Sequence, residues 1–214
     1  MAGGRGIPTG LASPYPAAPA PTQRPRTARH DACRRPDAVA ASAVAEFMPD
    51  PAAHTCSKTF SGYPCSHRQW RHPGHCRFVH GYSRSFTVWY RAQRLDQHGF
   101  VVDFSSLKEL ERRLRDQFDH TFLANADDPL LDTWRALHDQ GALDLRVMDN
   151  VGMEASAELV WRWANELVRE REGGRACCWR VEARENERNA ACFQALPSWF
   201  QGAAAPGDEP WEAP

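Results

Sequence analysis

The sequence predicts an α+β domain: an antiparallel sheet with its helices on one face. Three observations carry this. Strand-like stretches come in pairs, one pair early and one late; segments of helical periodicity lie between the pairs; and turn signals, not helices, separate the members of each pair. The first strand is expected over Lys58–Ser66, ending at a bulge at Pro64, and the second over Val79–Gln93. Along the second, His80, Tyr82, Phe86, Val88 and Tyr90 share a face by the two-residue period. A turn at Asp96–Gly99 leads into Phe100–Phe104, which reads as the return arm of a hairpin. Ser106 and Glu109 have capping-box spacing, and Leu107, Leu110, Leu114 and Phe118 then recur at helical intervals. A shorter helix is expected over Pro129–Asp139, closed by Gly141. Leu143–Met148 reads as a short strand or an extended link. Glu154–Glu170 reads as a long helix, with Leu159, Trp163 and Leu167 on one stripe. Ala176–Arg184 and Ala190–Ala195 form the last pair, around a turn at Asn186–Asn189.

Composition bounds the rest. The chain has 26 basic and 27 acidic side chains, and a net charge of −1 removes the usual electrostatic argument for a nucleic-acid or acidic-membrane partner. No apolar run approaches the length of a membrane-spanning helix. Met1–Gly10 is Gly-rich, and Pro14, Pro16, Pro19 and Pro21 interrupt the adjoining stretch, so no secretory core is seen. Seven cysteines, an odd number without an export signal, argue for a reducing cytoplasm rather than a disulfide framework. Nine of the sixteen prolines precede residue 54, and residues 1–54 read as a disordered Ala/Pro/Arg-rich leader. Such a segment has little to bury against an ordering cost of about 1–2 kcal/mol per residue. Its arginines (Arg24, Arg26, Arg29, Arg34, Arg35) also suit a basic arm or transit peptide, and its uniform bias suits a translated leader before a start at Met48. One folded domain is expected over 55–201, and a second disordered tail over 202–214.

Four of the nine histidines lie between residues 67 and 80, together with Cys65 and Cys76. Clustered imidazoles are the commonest metal-binding signal at neutral pH. His67 ends the first expected strand and His80 begins the second, so two neighbouring antiparallel strands can bring them together; His72 and His75 fall in the connecting loop. The alternative is a set of loop histidines around the Pro73-Gly74 turn.

Several motifs taken together resemble the 6-pyruvoyltetrahydropterin synthase / 6-carboxytetrahydropterin synthase family. They are His67-Arg68, Cys76-Arg77-Phe78-Val79-His80-Gly81, Val101-Val102-Asp103-Phe104, Leu107-Lys108 and Phe118-Asp119-His120, within a resemblance spanning about 59–195. It implies a ββααββ tunnelling fold assembled into a homo-oligomeric barrel, a trimer or a hexamer. It also implies a Zn2+ ion held by His67, His80 and the residue two beyond. That third position is Tyr82, where the family has histidine, so its phenol, of ordinary pKa about 10, must lose a proton to ligate; Cys76 as thiolate is the other candidate. By the same resemblance Cys76 is the base, Asp119 and His120 form an acid–histidine relay, and Glu185 anchors the pterin ring through paired hydrogen bonds. Gly152-Met153-Glu154 departs from a Pro-Thr pair followed by Glu, which leaves Glu154 as a partner for the helix dipole. The implied function is a cytoplasmic zinc-dependent lyase converting 7,8-dihydroneopterin triphosphate to carboxytetrahydropterin, acetaldehyde and triphosphate, towards queuosine. The alternatives are 6-pyruvoyltetrahydropterin synthase activity, a catalytically altered pterin- or purine-binding protein, or a zinc-binding interaction module around 65–82.

Of the remaining residues, Trp161 and Trp163 read as packing, and Cys177, Cys178 and Cys192 carry no assignment. Arg71 and Arg84 suit either a triphosphate or a solvated face.

Overall fold

Residues 53–200 are described by a computed structural model. The expected tail over 202–214, the Met48 start and all but the last two residues of the expected leader lie outside them. Six strands run β1 (His54–His67), β2 (His80–Ala92), β3 (Thr121–Asn125), β4 (Leu145–Met148), β5 (Ala176–Arg184) and β6 (Ala190–Gln194). The helices are α1 (Lys108–Phe118), α2 (Leu131–Asp139) and α3 (Met153–Glu172). The strands form one sheet in the order β4-β3-β1-β2-β5-β6.

The β1–β2 hairpin is the spine. On β2, Phe86, Val88 and Tyr90 are fully buried, as their shared face predicts. Against this face α1 lays Leu110, Leu114 and Phe118, and α3 lays Ala157, Val160, Ala164, Leu167 and Val168. The expected stripe on α3 is therefore rotated: Leu167 is buried, while Leu159, Trp161 and Trp163 are half-buried at the core's margin.

A bulge lies at Gly62, not at Pro64. The β1–β2 register shifts between Ser61 and Tyr63, with Gly62 at φ 88°, a left-handed backbone that glycine adopts freely. The extra residue resets the alternation of β1. Phe60 and Tyr63 both face the core, and His67 then falls on the same face as its register partner His80. Without the bulge, the parity that buries Phe60 would turn His67 outward.

Four further expectations are corrected. The sheet is mixed, because β3 pairs parallel with β1 and β4 parallel with β3. After β2 the chain passes through α1 and enters β3 on the other side of β1, running in the direction of β1; α2 is then a helical crossover that brings β4 back parallel to β3. The helices are also not all on one face. Leu123 of β3 joins the core while Phe122 turns away from it and packs on Trp134 of α2, with ring centroids 4.7 Å apart. Finally, Phe100–Phe104 is not a strand. Arg175 donates to the Phe100 carbonyl at 3.3 Å and to that of Val101 at 2.9 Å, taking two acceptors a ladder would use. Asp103 then caps a short 3-10 turn over Phe104–Leu107 by accepting from Ser105 N at 2.8 Å. No Ser106/Glu109 capping box forms: the Ser106 hydroxyl donates to the Asp103 carbonyl, and Glu109 pairs with Arg112.

Candidate active site

His67 and His80 face each other at the loop end of the β1–β2 hairpin, paired in register, with ring centroids 4.5 Å apart. The ring of His80 is oriented by its own loop: Nδ1 lies 2.7 Å from the Phe78 carbonyl, which can only accept. The Nδ1 proton is thereby fixed and Nε2 is left with a free lone pair. Glu185 follows β5, continuing the inward alternation of Val181 and Ala183, and its N–H donates to the Asn189 carbonyl to close the last hairpin. One ligand atom each from His67, His80 and Glu185 lie within 4.8 Å of one another. Glu185, expected at the pterin ring, thus has its carboxylate beside the two imidazoles.

His67 is 6% exposed. Burial first, then the Arg84 guanidinium and the His80 ring, lower its pKa from 6.5 to about 3, so the ring is neutral at ordinary pH. Arg84 is itself buried, 1% exposed, on the same face of β2. It donates from Nη1 to Ser156 Oγ at 2.7 Å and from Nη2 to the Val151 carbonyl at 2.9 Å. A longer contact of 3.4 Å joins Nη2 to His67 Nδ1. Arg84 is therefore not on a solvated face; it is part of the cluster. Nothing in its charge marks it for burial, because the partners that receive it come from the start of α3, far away in sequence.

The loop between the strands is tied down. Arg68 makes two hydrogen bonds to Asp128, at 2.8 and 2.7 Å, and Gln69 N donates to the Cys76 carbonyl at 2.9 Å. Cys76 lies half-buried in a 3-10 turn over His75–Arg77, and its thiol stands outside the three-residue set. Arg71 pairs with Asp127 at the surface. Glu154 is exposed in the first turn of α3.

Asp119 caps the end of α1, and His120 comes next in a left-handed backbone, φ 58°. For a residue other than glycine that is a strained conformation. It is held by His120 N donating to the Pro64 carbonyl at 2.7 Å and by Nδ1 meeting Asp119 Oδ1 at 2.7 Å. The His120 side chain is 85% exposed. Since β3 pairs Thr121 with Cys65 and Leu123 with His67, His120 lies three register positions from His67, about 10 Å along the strand. A single chain therefore pairs Asp119 with His120 but does not bring them to the imidazole–carboxylate set. Tyr82, expected as a ligand, meets His80 edge-on, centroids 5.8 Å apart. With Ser66, Ser83, His120, Phe122 and Trp134 it lines an open cleft of about 690 Å3.

The profile of the 6-pyruvoyl tetrahydropterin synthase family matches residues 55–195. The chain belongs to this family. Among relatives by sequence, the 6-carboxy-5,6,7,8-tetrahydropterin synthase of Rickettsia conorii is 31% identical over 67 residues, covering 31% of this chain and 49% of the relative. The enzyme of the same name from Rickettsia felis is 30% identical over the same length and coverage. The chain spans about half the length of these relatives. Among solved structures, an uncharacterized protein from Wolinella succinogenes superposes with a TM-score of 0.57 at 21% identity, covering 67% of this chain and 99% of that one. The 6-pyruvoyl tetrahydropterin synthase of Plasmodium falciparum gives 0.51 at 16% identity, over 68% and 99%. These structures show the tunnelling fold in this family member. Among its described residues, no helix is long and apolar enough to cross a membrane.

The donor set fits a divalent metal ion. Two imidazoles and one carboxylate are a donor set that zinc accepts, and three protein ligands would leave a position for substrate. His67 is neutral and His80 is pre-oriented by the Phe78 carbonyl. The one discordant contact is Arg84 on His67.

Proposed function

We propose that the chain is a pterin lyase of the 6-carboxytetrahydropterin synthase type, acting on 7,8-dihydroneopterin triphosphate. The observation that carries this reading is the convergence of His67, His80 and Glu185 within 4.8 Å in a member of the pterin synthase family. The names of the Rickettsia relatives favour the carboxytetrahydropterin branch.

In this reading His67, His80 and Glu185 hold a Zn2+ ion, with Tyr82 at the rim. When bound, the ion polarises the oxygens of the substrate side chain and acidifies the neighbouring C–H. Cys76, on a loop fixed by Gln69 and Arg68, removes that proton as its thiolate. His120 exchanges protons at the side-chain hydroxyls, and Asp119 holds its ring through Nδ1. Glu185 serves either the ion or the pterin edge, and its place beside the imidazoles favours the ion. Because Asp119 and His120 stand apart from the set within one chain, the relay comes from a second copy. The edge strands β4 and β6 are open to pairing between copies, as an oligomeric barrel requires.

Turnover of dihydroneopterin triphosphate with product identification tests the proposal. Acetaldehyde and triphosphate released together, and lost in Cys76→Ala, are expected; a pyruvoyl product without acetaldehyde would assign the other branch. A second reading, a catalytically altered pterin-binding protein, is favoured by the guanidinium on His67. It predicts pterin binding with no turnover.

A further inference from the structure

Arg84 is a group that a zinc site does not call for. A guanidinium has donors only, so in its contact with His67 the imidazole Nδ1 must be the acceptor. The lone pair of Nδ1 then faces Arg84, and the single proton of the neutral ring sits on Nε2.

Both ring nitrogens lead to the same result. If His67 were to ligate through Nδ1, the lone pair it needs is already taken by Arg84. If it were to ligate through Nε2, the proton there must move to Nδ1, which would set an imidazole N–H against a guanidinium N–H. Either route breaks the hydrogen bond between Arg84 and His67. The fixed positive charge also opposes a dication beside it. Other contacts hold Arg84 in this position in the metal-free chain. Ser156 Oγ and the Val151 carbonyl hold its two Nη atoms, and the Phe118 ring lies 5.8 Å from its guanidinium carbon. Its Nε is buried without a hydrogen-bond partner, so the side chain is anchored at one end only.

We propose that Arg84 gates the cation site: in the resting chain it holds His67 in the tautomer that cannot ligate, and metal binding requires its release. Metal affinity is thus set by a residue that is not a ligand, through the hydrogen bond to His67 and the link from β2 to the start of α3. The inference rests on the reading of His67, His80 and Glu185 as a donor set.

Two measurements on the full chain test it. Long-range 1H–15N correlation spectra of the metal-free protein, with His67 assigned by its loss in His67→Gln, should show His67 protonated at Nε2 and bare at Nδ1. Titration with Co2+, followed by its visible absorption, should show at least tenfold tighter binding in Arg84→Met than in the wild type. Equal or weaker Co2+ binding in a folded Arg84→Met protein overturns the gate and leaves the donor set standing. Absence of Co2+ binding in both proteins overturns both. If Arg84→Met does not fold, the wild-type tautomer decides: a His67 proton on Nδ1 overturns the gate.

Discussion

Cys76 and Glu185 are told apart by what their loss removes. Because the Cys76 thiol stands outside the donor set, Cys76→Ala should cut turnover by about 100-fold or more while metal content, read by elemental analysis, stays unchanged. Glu185→Gln keeps the shape and removes the negative charge, and should weaken Co2+ or Zn2+ binding at least tenfold in a direct titration. His67 gives a pH signature in the metal-free protein. Its folded pKa is lowered from 6.5 to about 3, so its contribution to stability is complete above about 6.5 and is lost as pH falls towards 3. Urea unfolding across that window should show a stability loss of up to about 1.4 kcal/mol per pH unit that is absent in His67→Gln. The pairing of His67 with His80 was legible in the sequence because register is set by two strands and a loop. The burial of Arg84 was not, since an arginine is read as solvated unless distant partners are known, and those partners, Ser156 in α3 and Val151 just before it, lie about 70 residues further along the chain.

At the scale of elements, two joints carry most of the register. Asn165 of α3 donates to the Cys178 carbonyl at 2.8 Å and accepts from Cys178 N at 3.0 Å, beside the irregularity where Trp179 lacks a place in the β2–β5 register. Asn165→Ala leaves both buried backbone groups unpaired and should cost about 2 kcal/mol or more in chemical denaturation. Gly62→Ala meets no side-chain obstruction, but its left-handed backbone should still cost about 1 kcal/mol or more. The long hairpin and α1 were legible from periodicity, because each buries one clean stripe; α3 was legible as a helix, but its buried side, through Ala157, Val160 and Ala164, is rotated from the stripe its large residues mark. β3 was missed: its five residues are buried on both faces, so no alternation marks it, and it starts three residues after α1 ends. The expected strand at Phe100–Phe104 failed for a reason outside the segment, the Arg175 guanidinium that occupies its carbonyls.

At the scale of the whole molecule, metal and assembly should both register as stability. An ion that binds only the folded chain adds about 2.7 kcal/mol at one hundred times its dissociation constant, so chelation should lower the Tm and zinc should restore it. Native mass spectrometry should find three or six times the 24.1 kDa chain. A monomer that nevertheless turned over substrate would remove the need for a second copy's His120. The bulge at Gly62 has a consequence for how this architecture can vary in length. Between Phe60 and His67 the strand counts in twos: gaining or losing a single amino acid there forces a choice between keeping the aromatic ring inside and keeping the imidazole opposite its mate. Only paired insertions or deletions spare both, so that stretch should tolerate changes of two residues and reject changes of one.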